Sequence, residues 1–330
     1  MRHVVLLSTG GTIATTASEA GLAVSVDAGR LAAAAAEVWD LEDVRVEALD
    51  VNRIISSAAS LDDVMTLARA VDEAAARADG VVVTHGTDSM EESAFLVALT
   101  HRHQAPVAFT GAQRSFDDPA PDGPRNLAAA LRWVADPRAR GTGVSVVFGD
   151  TVLPAVGTRK VHTLGLNGFA APGRGPVAAV DDTGVRPYAV PAAAPALLST
   201  DAALPRVEVV GQYLGSDATA VRAAVAAGAR GIVLAAFGAG NATPEVTAAC
   251  LDLLDAGTPV VVASRVGAGP VRGVYAGGGA DLERAGAIPA GDLSPWQARL
   301  LLAAVLTHAD GSRGAAARCR DWLRAVAALS

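Results

Sequence analysis

An alternation of short β-branched runs with helical patterns is the feature that most narrows what this chain can fold into. The runs HVVLLST (3–9), VRVEALDV (44–51), GVVVTH (80–85), PVAFTG (106–111) and GVSVVFG (143–149) have the length and bounding turn residues of buried strands. Between them, residues 29–39, 60–78, 88–103 and 123–136 carry helical patterning, with Ser60 and Asp63 forming an N-terminal capping signal. Repeated strand–helix units predict a parallel sheet covered by helices on both faces. At 186–205 the pattern dissolves into RPYAVPAAAPALLSTDAALP, then resumes with VEVVG, GIVLAA, TPVVVAS and helical segments. The expected fold class is therefore α/β: a large N-terminal domain (1–187) with a helix-flanked parallel sheet, a linker (188–205), and a smaller C-terminal α/β domain (206–330).

A net charge of −7 and a pI near 5.4 argue against nucleic acid or an anionic membrane as partner. With only Cys250 and Cys319, and no Cys/His spacing suited to a metal, neither a disulfide framework nor a metal site is expected. The opening MRHVVLLSTGGT holds too short an apolar run for a secretory signal, so a cytoplasmic protein is expected. Of the 27 basic residues, Lys160 alone is a lysine. Lysine can lose its proton in a suitable environment and arginine effectively cannot, which makes Lys160 a candidate for proton chemistry.

In parallel sheets, ligands gather at the carboxyl ends of the strands. Three such ends carry hydroxyl or acidic residues here: Ser8-Thr9-Gly10-Gly11-Thr12, Thr84-His85-Gly86-Thr87-Asp88 and Thr110-Gly111-Ala112. STGGT is neither a dinucleotide fingerprint nor a Walker loop. Its glycines let backbone amides approach an oxyanion, and Thr12 beside them could attack a carbonyl. Read alone, however, the segment fits a plain polar turn better. Asp88 likewise could simply cap the next helix; equally, Thr87, Asp88 and Lys160 could form a proton relay. His85, before a glycine, reads as structural rather than catalytic.

TGGTIA (9–14), THGTDSMEE (84–92), TGAQR (110–114), DGPRNL (122–127), TRKVHTLGLNGF (158–169), GAGN (238–241), SRVGAG (264–269) and AGDLSPWQARLLL (290–302) together resemble the bacterial-type L-asparaginase/glutaminase family, in that family's order over nearly the whole chain. The resemblance implies cofactor-free hydrolysis of L-asparagine to L-aspartate and ammonia through an acyl-enzyme. It implies Thr12 as nucleophile and Thr87, Asp88 and Lys160 as the second catalytic group, with Asp88 also holding the substrate α-amino group. Ser56, with Ser57 beside it, would bind the α-carboxylate, and Gly11, Gly86 and Ala112 would line the pocket. The family's intimate dimers, often paired into tetramers, imply that Asn241 reaches a neighbouring subunit's site. The expected partner is thus a small amino-acid amide, and the expected assembly a homodimer or homotetramer.

The sequence departs from the family in three places. After Ser56 it reads SAA where the family usually has a polar residue and Met. The acidic residue that some members supply across the dimer near 270–280 has no clear match, since Glu283 falls several residues too late. The third departure bears on mechanism. The segment Thr15 to Val26 lacks the tyrosine that normally neighbours the nucleophile; the first tyrosine is Tyr188. Two other readings stand beside the asparaginase. One is a glutaminase-asparaginase, because a single methylene is weakly discriminated by a pocket. The other, of a different class, is a non-catalytic amino-acid sensor on the same fold; retention of Thr12, Thr87, Asp88 and Lys160 together argues against it.

Overall fold

The computed structural model of the chain describes residues 1–39, 41, 43–189, 193–308 and 311–327. Residues 190–192 of the expected linker lie outside the described residues. In chain order the N-terminal part runs β1 (Arg2–Gly10), β2 (Thr15–Ser18), β3 (Gly21–Val24), α1 (Ala28–Val38), β4 (Val44–Ile54), α2 (Leu61–Ala75), β5 (Gly80–Thr84), α3 (Met90–Thr100), β6 (Val107–Thr110), α4 (Gly123–Ala135) and β7 (Val144–Phe148). It continues with β8 (Thr151–Pro154), β9 (Arg159–Lys160), β10 (Phe169–Ala170), β11 (Ala178–Asp181) and β12 (Gly184–Pro187).

Eight of these strands form one sheet, ordered β12-β11-β8-β7-β6-β5-β1-β4. Within it β4, β1, β5, β6 and β7 are mutually parallel, as the alternation predicts. The period-two geometry of β1 divides its apolar residues between two cores. Val4 and Leu6 pack with Leu31 of α1 and Leu127 and Leu131 of α4. Val5 and Leu7 pack on the other face with Leu67 and Val71 of α2 and Ala94 and Val97 of α3. Burial on both faces is why these strands are continuous apolar runs.

The sheet is not parallel throughout, and this corrects the expectation. β8 pairs antiparallel with β7, β11 with β8, and β12 with β11. The reversal after β7 is a two-residue hairpin in which Gly149 and Asp150 both take positive φ, +57° and +62°. Those dihedrals match the primed turns that follow strand twist.

The strand order has a further consequence. After β1 the chain crosses to β4 on one side, then returns past β1 to place β5 on the other. Such a reversal opens a crevice at the carboxyl ends of the two strands between which the order reverses, here β1 and β5. These ends carry Gly10-Gly11-Thr12 and His85-Gly86-Thr87-Asp88.

Residues Met1–Ala196 make one compact unit and Leu197–Ser330 a second. The second contains β13 (Val207–Gly211), α5 (Thr219–Ala226), β14 (Gly231–Ala236), α6 (Pro244–Asp255), β15 (Val260–Ser264), α7 (Gly279–Arg284), β16 (Ile288–Pro289), α8 (Pro295–Leu306) and α9 (Gly311–Ala327). Its parallel sheet is ordered β13-β14-β15-β16. The fold is α/β in both units. Among the described residues, no helix is long and apolar enough to cross a membrane.

Candidate active site

The site begins where β1 ends. The β1–β4 register shifts between Ser8 and Gly10, and Gly10 and Gly11 both take positive φ, +97° and +78°. Such dihedrals suit glycine and turn the chain sharply at the sheet edge. Gly11 caps a short 3-10 turn, Thr12–Ala14. The Thr15 hydroxyl donates to the Thr12 carbonyl at 2.8 Å, and the Ala14 amide to Gly11 O at 2.9 Å. Thr12 itself is half-buried, and its hydroxyl makes no hydrogen bond among the described residues.

β5 delivers the second group. A Cβ on Gly11 would collide with the Gly86 backbone, and one on Gly86 would meet Ser56 Oγ at 2.5 Å. The two glycines therefore let the β1 and β5 ends touch, so Thr12 and Thr87, which follow them, open from one point. Ser56 is buried on a 3-10 turn after β4, while Ser57 next to it is exposed. The Ser89 hydroxyl donates to Ser56 O at 2.8 Å, tying that turn to the start of α3. Ser56, His85 and Gly86 line a small, largely apolar pocket together with Ile54, Val64 and Leu67.

His85 is enclosed, and its Nδ1 donates to Gly86 O at 2.8 Å. Burial pushes its pKa below the ordinary imidazole value, against the opposing pull of that hydrogen bond. A neutral ring fixed on a backbone carbonyl suits the structural role read from the sequence.

Lys160 comes from β9, and Nζ lies 2.9 Å from both Thr87 Oγ1 and Asp88 Oδ1. The relay geometry of these three residues is thus assembled. Asp88 makes no capping bond to α3: Ser89 occupies the N-cap position. The Asp88 side chain is 60% exposed and the Lys160 side chain 19%.

Four contributing residues were not assigned from the sequence, although three lie within the family-like motifs. Glu91 accepts from the Lys160 backbone amide at 2.6 Å. Asp122 accepts from the Gln113 and Arg114 amides, while Asn126 Nδ2 donates to Gly111 O at 3.0 Å; together they hold the turn bearing Ala112. Ala112 is buried, and a Cβ on Gly123 would meet its Cβ at 3.3 Å and Ile13 Cγ1 at 2.7 Å. Thr15 is the fourth.

Asn241 lies in the second unit, where it forms an isolated bridge with Phe237. Glu283, on α7, is engaged by the Gly273 amide at 2.8 Å. Among the described residues no cluster of three or more His, Cys, Asp or Glu is arranged to hold a metal ion.

Comparison with known proteins places this arrangement. Residues 3–192 match the model of the asparaginase N-terminal domain, and 206–317 that of the glutaminase/asparaginase C-terminal domain. The chain belongs to the asparaginase/glutaminase family. Membership makes it an amidohydrolase. Among its relatives in the family, a probable L-asparaginase of Deinococcus radiodurans is 36% identical, with 92% of each chain covered. L-asparaginase 2 of Escherichia coli is 33% identical, with 93% of this chain and 89% of the relative covered. The crystal structure of a probable cytoplasmic L-asparaginase from Campylobacter jejuni superposes with a TM-score of 0.86 at 32% identity, covering 98% of this chain and all of the other.

The segment that follows Thr12 also has a defined form. Thr15–Ser18 and Gly21–Val24 pair as an antiparallel ribbon. It is tied to the residues after Ala112: the Phe116 amide donates to Thr15 O at 2.9 Å, and the Ala17 amide to Asp117 Oδ2 at 2.8 Å.

Proposed function

We propose that the chain is an L-asparaginase in which Thr12 attacks the side-chain amide of L-asparagine. The observation that carries this reading is the placing of the only lysine within 2.9 Å of both Thr87 Oγ1 and Asp88 Oδ1, at the crevice where the Gly11 and Gly86 backbones meet. In the first half-reaction, a bond forms between Thr12 Oγ and the amide carbon. The C–N bond then breaks, and the hydroxyl proton passes to the departing ammonia. Backbone amides around Gly11 and Ala112 stabilise the oxyanion. In the second, water adds to the acyl carbon and the Thr12 ester bond breaks, releasing aspartate. Thr87, Asp88 and Lys160 carry the proton transfers. The exposed Asp88 oxygen suits the substrate α-ammonium, and buried Ser56 suits its α-carboxylate.

The purified protein should release ammonia from L-asparagine, and Thr12→Ala should cut turnover by about three orders of magnitude or more while the fold persists. Full turnover in that variant would remove Thr12 as nucleophile. One observation favours a second reading, with Thr87 as nucleophile: Lys160 bonds to the Thr87 hydroxyl and not to that of Thr12. Trapping the acyl-enzyme and mapping the adduct to residue 12 or 87 separates the two. Comparing turnover of L-Asn, L-Gln and D-Asn separates the asparaginase from a glutaminase-asparaginase. The reading includes a cytoplasmic homodimer or homotetramer in which Asn241 contributes across the dimer. A protein that sediments only as a monomer would set that assembly aside.

A further inference from the structure

Lys160 reaches the site from a strand only two residues long. On one side β9 is held by β10, where Lys160 pairs with Phe169 and Arg159 with Ala170. Phe169 is itself buried against Phe148, ring centroids 5.1 Å apart. At the main chain of Lys160, the amide donates to Glu91 Oε2 at 2.6 Å. Glu91 is only 6% exposed and lies in the first turn of α3, three residues after Asp88. The start of α3 therefore grips the lysine at two points: Asp88 takes the amine and Glu91 the backbone amide.

A buried carboxylate is an unfavourable choice for stability alone, because its desolvation costs several kcal/mol and an apolar residue of similar volume avoids that. The positive end of α3 and the charge-assisted hydrogen bond offset the cost. What the carboxylate adds is placement. A lysine side chain with four rotatable bonds brings Nζ to a fixed point only if its Cα is fixed first.

We propose that Glu91 is a positioning residue of this amidohydrolase: it acts through the Lys160 backbone to set the amine between Thr87 and Asp88. The inference rests on the assignment of Lys160 to proton transfer. Two conservative variants separate placement from charge. Glu91→Gln keeps the reach of the acceptor oxygen and removes the charge; Glu91→Asp keeps the charge and withdraws the oxygen by one methylene. Glu91→Asp should lower kcat on L-asparagine by about 10- to 100-fold with KM within about threefold, and Glu91→Gln should recover most of that loss. In a Lys160→Met background, Glu91→Asp should have no further effect on kcat. Thermal unfolding of each variant shows that the compared proteins are folded. Wild-type kcat in Glu91→Asp, or the reverse ranking of the two variants, would overturn the inference. Normal turnover in Lys160→Met would instead overturn the assignment of Lys160, so the two failures are distinguishable.

Discussion

The Lys160–Asp88 ion pair has one side chain 19% exposed and the other 60%. Pairs this open to water contribute about 0–1 kcal/mol to stability, too little to explain a lone lysine among 27 basic residues. Chemistry explains it better: an ammonium can surrender a proton, and a guanidinium cannot. Lys160→Arg should therefore leave the unfolding temperature nearly unchanged but lower kcat by about 100-fold or more, with KM affected less. Steady-state kinetics checks this, and near-normal kcat would take Lys160 out of the mechanism. Gly86 gives a different signature. An added Cβ would meet Ser56 Oγ at 2.5 Å and Ser56 Cβ at 2.7 Å, so the serine must move. Gly86→Ala should raise KM for L-asparagine about tenfold or more and cost about 1–3 kcal/mol of stability through overpacking. An unchanged KM would mean that Ser56 does not anchor the substrate.

The ribbon β2–β3 forms the segment in which the family resemblance leads one to expect a tyrosine, and it contacts the Thr12 backbone. Thr15 is buried; its hydroxyl holds the Thr12 carbonyl, and its own carbonyl accepts from Phe116 in the segment that follows Ala112. Thr15→Val keeps the shape and removes that hydroxyl. It should lower kcat by about tenfold at a stability cost near 1 kcal/mol, whereas retained kcat with lowered stability alone would make the contact merely structural. None of this was legible in TTASEAGLAVSV, since a two-stranded ribbon of small and polar residues lacks the apolar alternation that marks a half-buried strand. The parallel strands were legible because burial on both faces demands unbroken Val and Leu runs. β8, β11 and β12 are only four residues each, and the Gly149-Asp150 turn that reverses the sheet is a single dipeptide in a long stretch. The Lys160–Thr87–Asp88 cluster was anticipated by chemistry and resemblance. Glu91 was not, because a main-chain amide 69 residues away leaves no mark in sequence.

For the protein as a whole, two sets of groups tie stability to pH in separate windows. Burial holds the imidazoles of His85 and His101 below the ordinary value of 6.5. Above pH 6.5 these rings are neutral whether the chain is folded or unfolded, and their contribution is complete. As pH falls below 6.5 the unfolded chain takes up protons that the folded one refuses, so stability declines until the folded values are reached. The second window belongs to carboxylates. Glu47, hydrogen-bonded chiefly by Arg77 and also by His3, is lowered from 4.5 to about 2. Its contribution is present above pH 4.5 and is lost between there and about 2. Asp136, held down mainly by Arg138, and Asp63, held down by Ser60, act in the same direction. The unfolding temperature should accordingly be level from pH 8 to about 6.5, decline as pH falls below 6.5, and decline more steeply once the carboxylates titrate below about 4.5. The first decline identifies the buried histidines, because no carboxylate with a lowered pKa titrates in that interval. Calorimetry across pH 2–8, with His85 followed by NMR of its ring protons, checks both parts. A level profile from pH 7 to 5, or a folded His85 that protonates near 6.5, would show that the ring is not held neutral and would reopen it as a candidate base beside Thr87.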